Sequence, residues 1–223
     1  MKRVNLLLAV VVAGSLLAAC GGNVWREYRF TEPSEYYFYY PEATVRRGPP
    51  PLLIALLGED QSARDCMELF HSYAVDRGIA LLCPASQGGD DLVDRVQAET
   101  DLAAILAQIY TTHVFQERFF LAGFADAGTF ALEYGLKYPG AVGGVSAMSV
   151  ETFPELPVPF GAPPVQLLVG ESDQKGMERA GEQEQTWRTA GMLIRVATVD
   201  GDGRSPSIGF ARLASELIDQ IVR

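Results

Sequence analysis

Residues 118–140 read RFFLAGFADAGTFALEYGLKYPG, and the hydrophobic period changes in the middle of the stretch. An apolar run of strand length ends in small residues, and apolar positions then recur at helical spacing. A sharp strand-to-helix turn here would lift the apical residue, Ala125, out of the carboxyl end of the strand. A group displayed in that way suits nucleophilic chemistry. Such chemistry needs an oxygen or sulfur lone pair, a base that accepts its proton near pH 7, and an acid that orients the base. Three other loops follow apolar runs and carry titratable groups: Gly58-Glu59-Asp60, Glu171-Ser172-Asp173, and the segment Asp200 to Ser205 with Asp202 and Arg204.

The elements that must position these loops alternate along the chain. YRFTE and EYYFYYPE read as two strands around Pro33-Ser34. PLLIALLG (51–58), IALLCP (79–84), RFFLAG (118–123), VGGVSAMS (142–149), VQLLVG (165–170) and MLIRVATV (192–199) read as further strands. Continuous apolar runs of this length mark strands buried on both faces. Ser62 caps a helix whose apolar side is Cys66, Met67, Phe70, Tyr73 and Ala74, and Gly78 stops it. Leu102, Ile105, Leu106 and Ile109 mark a second helix. A third runs through Tyr138 to Pro139-Gly140, and a polar one surrounds Trp187. The last opens at Ser205-Pro206-Ser207 and is expected to bury Phe210, Leu213, Leu217 and Ile221. The aromatic run at 36–40 reads as strand. Strands alternating with helices predict a mostly parallel sheet covered on both faces. In such sheets chemistry gathers in the loops at the carboxyl ends of the strands.

The order and spacing of these loops resemble an α/β-hydrolase of the small esterase kind, near the phospholipase/carboxylesterase, dienelactone-hydrolase and polyhydroxybutyrate-depolymerase-like lineages. The resemblance runs from about Tyr36 to the C-terminus and is densest in GFADAG, the following helix and KYPG. It implies a nucleophile elbow at GFADAG, with Ala125 in the nucleophile slot, Asp173 in the acid slot and Arg204 in the histidine slot. A methyl group cannot attack a carbonyl, and a guanidinium cannot act as a base. Two of three functions are missing. Gly58 and Glu59 fall in the oxyanion loop, with the Asp126 N–H as the second donor. A carboxylate at Glu59 would oppose the stabilisation such donors give. The second motif glycine has become Ala127. Asp126 as a displaced nucleophile would put Phe124 where the turn wants a small residue. The two histidines, His71 and His113, read as packing or surface residues away from the site. The expectation is therefore a degenerate site with a binding or scaffolding role; the alternative is a working esterase using Ser172 or Ser205. An Asp173–Arg204 ion pair is expected to replace the lost couple.

The N-terminus adds a location. MKRVNLLLAVVVAGSLLAAC has a basic start and an apolar stretch too short to span a bilayer, so it reads as a secretory leader. Leu17 to Cys20 resemble the bacterial lipobox, which implies a leader over 1–19, a lipidated Cys20 and short tether over 20–25, and one domain over 26–223. The formal charge is −10, and the leader holds Lys2 and Arg3 with no acid. A more acidic processed chain repels nucleic acid and anionic headgroups, so membrane contact would rest on the lipid. Cys66 and Cys83 remain to pair outside the cytoplasm. Glu59, Asp60, Asp126, Asp173 and Asp202 read as solvated carboxylates rather than a cation site. No cofactor or metal is implied, and the ligand is left open.

Overall fold

Five consecutive apolar runs become five strands buried along their full length: β3 (Leu52–Leu56), β4 (Ala80–Pro84), β5 (Phe119–Phe124), β6 (Val142–Met148) and β7 (Val165–Gly170). They belong to one eight-stranded sheet, completed by β1 (Tyr28–Phe30), β2 (Tyr36–Tyr39) and β8 (Ile194–Val199). The order is β1-β2-β4-β3-β5-β6-β7-β8. The computed structural model describes residues 28–31, 34–41, 48–58, 61–85, 92–155 and 157–222. The leader, Cys20 and its tether, Glu59 and Asp60 lie outside the described residues.

From β4 to β8 every pairing is parallel, as the β-α alternation requires. The other edge differs. β2 pairs antiparallel with β4, Tyr36 opposite Pro84 and Tyr39 opposite Leu81, and β1 pairs antiparallel with β2. β1 therefore runs in the direction of the parallel strands, with Tyr28 level with Leu82, the middle residue of β4.

Two apolar layers sandwich the sheet. On one face α2 (Leu92–Thr112), α3 (Asp126–Lys137) and α4 (Gln174–Thr189) cover a core that includes Ile54, Ile105, Leu121, Leu132, Val145, Leu167 and Trp187. On the other, α1 (Ala63–Arg77) and α5 (Ile208–Val222) cover Leu53, Met67, Phe70, Phe120, Leu168, Phe210 and Ile218. Ser62 caps α1 as the sequence predicts, and Asp65 returns the bond to the Ser62 N–H, closing a capping box. Gly78 ends the helix in the left-handed conformation at φ 61°. A disulfide joins Cys66 of α1 to Cys83 of β4, Cα to Cα 5.9 Å, within the range such bonds require.

The seam of α5 departs from expectation. Phe210 and Leu217 are buried, but Ala211, Ala214, Ser215 and Ile218 share the seam, Leu213 is half-buried and Ile221 is exposed. Gly144 explains the end of the helix: a Cβ there would come within 2.8 Å of Ile221 Cδ1. The Ile221 tip rests on that bare backbone while the rest of its side chain meets solvent.

Candidate functional site

The elbow is built by close backbone approach. At the end of β5 the chain turns directly into α3 through Ala125, which holds φ 52° and ψ −122°. A non-glycine residue seldom adopts that conformation, and it costs on the order of 1–3 kcal/mol. The packing around it imposes the turn. A Cβ on Gly123 would lie 2.3 Å from the Ala127 carbonyl oxygen, and one on Gly128 would lie 2.9 Å from Val150 Cγ2. Ala125 N–H donates to Met148 O (2.9 Å), and Ala125 O accepts from Gly128 and Thr129 (2.9 and 3.1 Å). Asp126 sits one residue further on as the first, exposed residue of α3, and Phe124 is the last residue of β5, so the apex falls on Ala125. No side chain caps α3. Its first N–H groups, Asp126 included, have no acceptor within the helix. Ala127 is buried where the motif would carry its second glycine.

A cleft of about 480 Å³ opens over this turn. The structure brings Ala125, Asp173 and Arg204 to its wall together, with Ser172 and Asp202. Gly58 approaches the same strand end, its Cβ position 4.0 Å from Phe124 O. Four further lining residues escaped the sequence reading: Ser149, Glu151, Lys175 and Arg179. The carboxyl-edge rule could have nominated Ser149, which follows β6 directly. The i, i+4 spacing of Lys175 and Arg179 on the helix after the acid loop could have nominated that pair. Arg179 has its Nε buried without a hydrogen-bond partner among the described residues.

The expected Asp173–Arg204 ion pair does not form. Asp173 is the N-cap of α4, and its Oδ1 accepts from Gly176 N–H at 2.9 Å. Arg204 turns instead to Asp202: its backbone N–H donates to Asp202 Oδ1 (3.0 Å), and its Nε lies 3.5 Å from Asp202 Oδ2, both side chains exposed. The physical reason is local competition. A carboxylate two residues away closes an Asx turn with little loop entropy, and the carboxylate across the cleft is already bound to its own helix. What ties the last loop down is backbone. Ser172 N–H donates to Gly201 O (3.1 Å), Ser149 Oγ donates to Gly203 O (2.6 Å), and Gly170 leaves room for Gly203, whose N would lie 2.4 Å from a Cβ.

Neither histidine of the chain reaches the cleft. His71 is buried on α1 with its ring edge against Tyr39, and burial pulls its pKa down to about 4. His113 follows α2 at the opposite end of β5, among the rings of Phe38, Tyr40 and Phe115, with its Nδ1 2.8 Å from Thr112 Oγ1. Among the described residues no group of three histidine, cysteine or acidic side chains is arranged to hold a metal ion. Asp173 and Asp202 share the cleft, whereas Asp126 is not among its lining residues.

The sheet order, the strained turn after β5 and the loops converging on it define the α/β-hydrolase fold. Solved structures agree. An S-formylglutathione hydrolase from Staphylococcus aureus is similar at TM-score 0.68 and 12% identity, over 93% of this chain and 100% of that one. A carboxylesterase from Mesorhizobium loti is similar at TM-score 0.65 and 11% identity, over 86% of this chain and 98% of that one. One from Bacillus cereus reaches TM-score 0.60 at 15% identity, over 83% and 93%. No family model and no curated protein matches the sequence.

Proposed function

We propose that this chain is a lipid-anchored protein of the bacterial envelope that uses a hydrolase cleft to bind a ligand or partner instead of cleaving an ester. The observation that carries the reading is Ala125. It occupies the apex of a retained elbow, at φ 52°, over an open cleft, with a methyl group where the reaction needs a nucleophile. Arg204 in the histidine position supports it, as does the placement of both histidines elsewhere. Lipid anchoring rests on the lipobox-like Leu17-Ala18-Ala19-Cys20.

The second reading, a working esterase, draws on Ser172, a hydroxyl on the cleft wall in the same lining as Lys175. One experiment separates the two. The purified chain is exposed to a fluorophosphonate probe and to short-chain aryl esters. Binding alone gives no labelled serine and hydrolysis at the buffer rate. Turnover that disappears on changing Ser172, Ser205 or Ser149 to alanine would establish the esterase reading instead. Mass spectrometry of detergent-extracted protein tests the anchor, with an acylated Cys20 expected and a soluble product cut elsewhere in the leader as the contrary result.

A further inference from the structure

The chain carries 28 acidic residues against 18 basic ones, so a cation without a carboxylate partner is unusual in it. Among the described residues, the cations with no carboxylate within ion-pair distance are Arg118, Lys175, Arg179 and Arg195. Arg118 is exposed, and Arg195 donates to Gln166 Oε1 at 3.0 Å. Lys175 and Arg179 differ from both: they line the cleft, and neither makes a hydrogen bond among the described residues.

Their position works against the helix that carries them. α4 begins at Gln174 with Asp173 as its N-cap, so Lys175 stands in the first turn and Arg179 one turn later. That end of a helix is the positive pole of its dipole and favours anions, yet α4 has no acidic residue in its first turn. Four residues apart, the two side chains share one helix face, where like charges repel. Elsewhere the same spacing joins opposite charges: Arg64 with Glu68 on α1, Glu184 with Arg188 further along α4, and Arg212 with Glu216 on α5. Glu178 and Glu182, one turn beyond Lys175 and Arg179, form no ion pair with them. Arg179 also has its Nε buried without an acceptor, which costs stability when the group is charged. Local rules broken together, with no polar contact in the fold to offset them, mark positions kept for a ligand.

The cleft has room for one. Its volume of about 480 Å³ falls in the range of small-molecule sites, about 300–1,000 Å³. Of the acids on its wall, Asp202 faces Arg204 and Asp173 accepts from Gly176 N–H. Glu151 is left, exposed, against Lys175 and Arg179 together. The uncapped start of α3 adjoins the same space through Ala125. What these groups lack is a negative charge with several acceptor oxygens. A guanidinium offers donors in a fixed fork and no acceptor, carboxylate and phosphate oxygens match that fork, and an ammonium adds a point charge beside it.

We propose that the cleft takes a small organic anion, a carboxylate or a phosphate monoester, whose charged oxygens are held by Lys175 and Arg179. This rests on the reading of the cleft as a binding site. The ligand's charge relieves the repulsion between the two cations and complements the positive pole of α4 at once.

The test titrates the full chain in neutral detergent with benzoate and with phenyl phosphate, using benzamide as the uncharged match. The Arg179 Nε–H and Lys175 amide signals are followed by nitrogen-15 NMR. Both anions should shift these signals saturably, more weakly as salt rises, and benzamide should leave them in place. Lys175→Gln and Arg179→Gln should each weaken anion binding by roughly tenfold, whereas Arg118→Gln should leave it unchanged. Lys175→Gln should also leave the unliganded protein at least as stable in urea, because it removes a cation from a helix N-terminus; a destabilised variant would make Lys175 a structural cation and overturn the proposal. Benzamide bound as tightly as benzoate overturns it too, and leaves the cleft a binding site. So does silence toward both anions at millimolar concentration, and so do shifts produced only by phosphatidylglycerol vesicles, which would assign the cations to a lipid surface. A fluorophosphonate-labelled serine together with ester turnover overturns the binding reading and this proposal with it.

Discussion

Replacing Ala125 with glycine tests whether the elbow stores backbone strain. Alanine at φ 52° and ψ −122° sits where its Cβ is penalised, by about 1–3 kcal/mol. Glycine occupies the mirror-image region freely. Against this gain, glycine widens the unfolded ensemble and costs about 0.4–1 kcal/mol. The lost methyl is only partly buried, which removes at most about 0.5 kcal/mol of apolar burial. The difference leaves Ala125→Gly more stable by about 1 kcal/mol, which for a domain of this size raises Tm by roughly 2–4 °C.

The assay is urea unfolding of the domain with its disulfide intact, followed by fluorescence and circular dichroism and supported by calorimetry. The midpoint should rise with the slope unchanged. A glycine variant that is less stable by 1 kcal/mol or more would refute the reasoning, because it would mean that the Ala125 methyl makes contacts worth more than its backbone strain. Ala125→Val supplies the opposite arm: a β-branched side chain in the same conformation should lower stability by more than the glycine raises it.

Other outcomes follow from the same contacts. Asp173→Ala removes the cap on α4 and should cost about 1 kcal/mol; Arg204→Ala should change stability by less than about 0.5 kcal/mol, and the double variant should be additive within error in a mutant cycle. The pair Ala125→Ser and Arg204→His should restore weak fluorophosphonate labelling at most, since Arg204 leaves the cleft wall toward Asp202 and not toward Asp173. Reducing the disulfide, whose cysteines are 17 residues apart, should destabilise the domain by about 3 kcal/mol in urea. His71 is held neutral by burial with a pKa near 4 against an ordinary 6.5, so below pH 6.5 the unfolded chain binds more protons; stability is full above that pH and falls toward pH 4, by about 1–3 kcal/mol. His71→Leu should flatten that part of the stability–pH curve, and an unchanged slope would show that the loss comes from carboxylates alone.

Much of the architecture was legible because each signal had one physical reading. PLLIALLG and RFFLAG are too apolar to face water on either side, so they fall in the middle of a covered sheet. Ser62 and Gly78 bracket α1 because a hydroxyl and a left-handed residue satisfy the end groups of a helix. The site was legible only as positions. Ala125, Asp173 and Arg204 do share one cleft, but the bond between the last two was inferred from a family's geometry. Asp173 had a nearer donor in Gly176 N–H, and Arg204 had a nearer acceptor in Asp202. The pattern Asp173-Gln174-Lys175-Gly176 carries the cap in its spacing, which was the available clue. Arg179 and Ser149 were harder to see, because their place on the cleft depends on how α4 and the end of β6 turn toward it.

The elbow separates geometry from chemistry. Its shape follows from Gly123 and Gly128, whose missing side chains let α3 start against β5, and from the hydrogen bonds of Ala125 to Met148, Gly128 and Thr129. None of these contacts involves the side chain at the apex. A serine could therefore be replaced by alanine with the turn, the cleft and the loop ties through Ser172 and Ser149 left standing. The strained φ at Ala125 is then a consequence of packing and carries no evidence of a reaction. The converse holds for the partner: a histidine acts only while its loop aims it at the nucleophile, and here that loop is fixed by Gly201 and Gly203 backbone while the Arg204 side chain faces solvent. The loop therefore rests on backbone contacts and not on the Arg204 side chain. With alanine at the apex the cleft keeps its walls, its uncapped helix end and its volume of about 480 Å³.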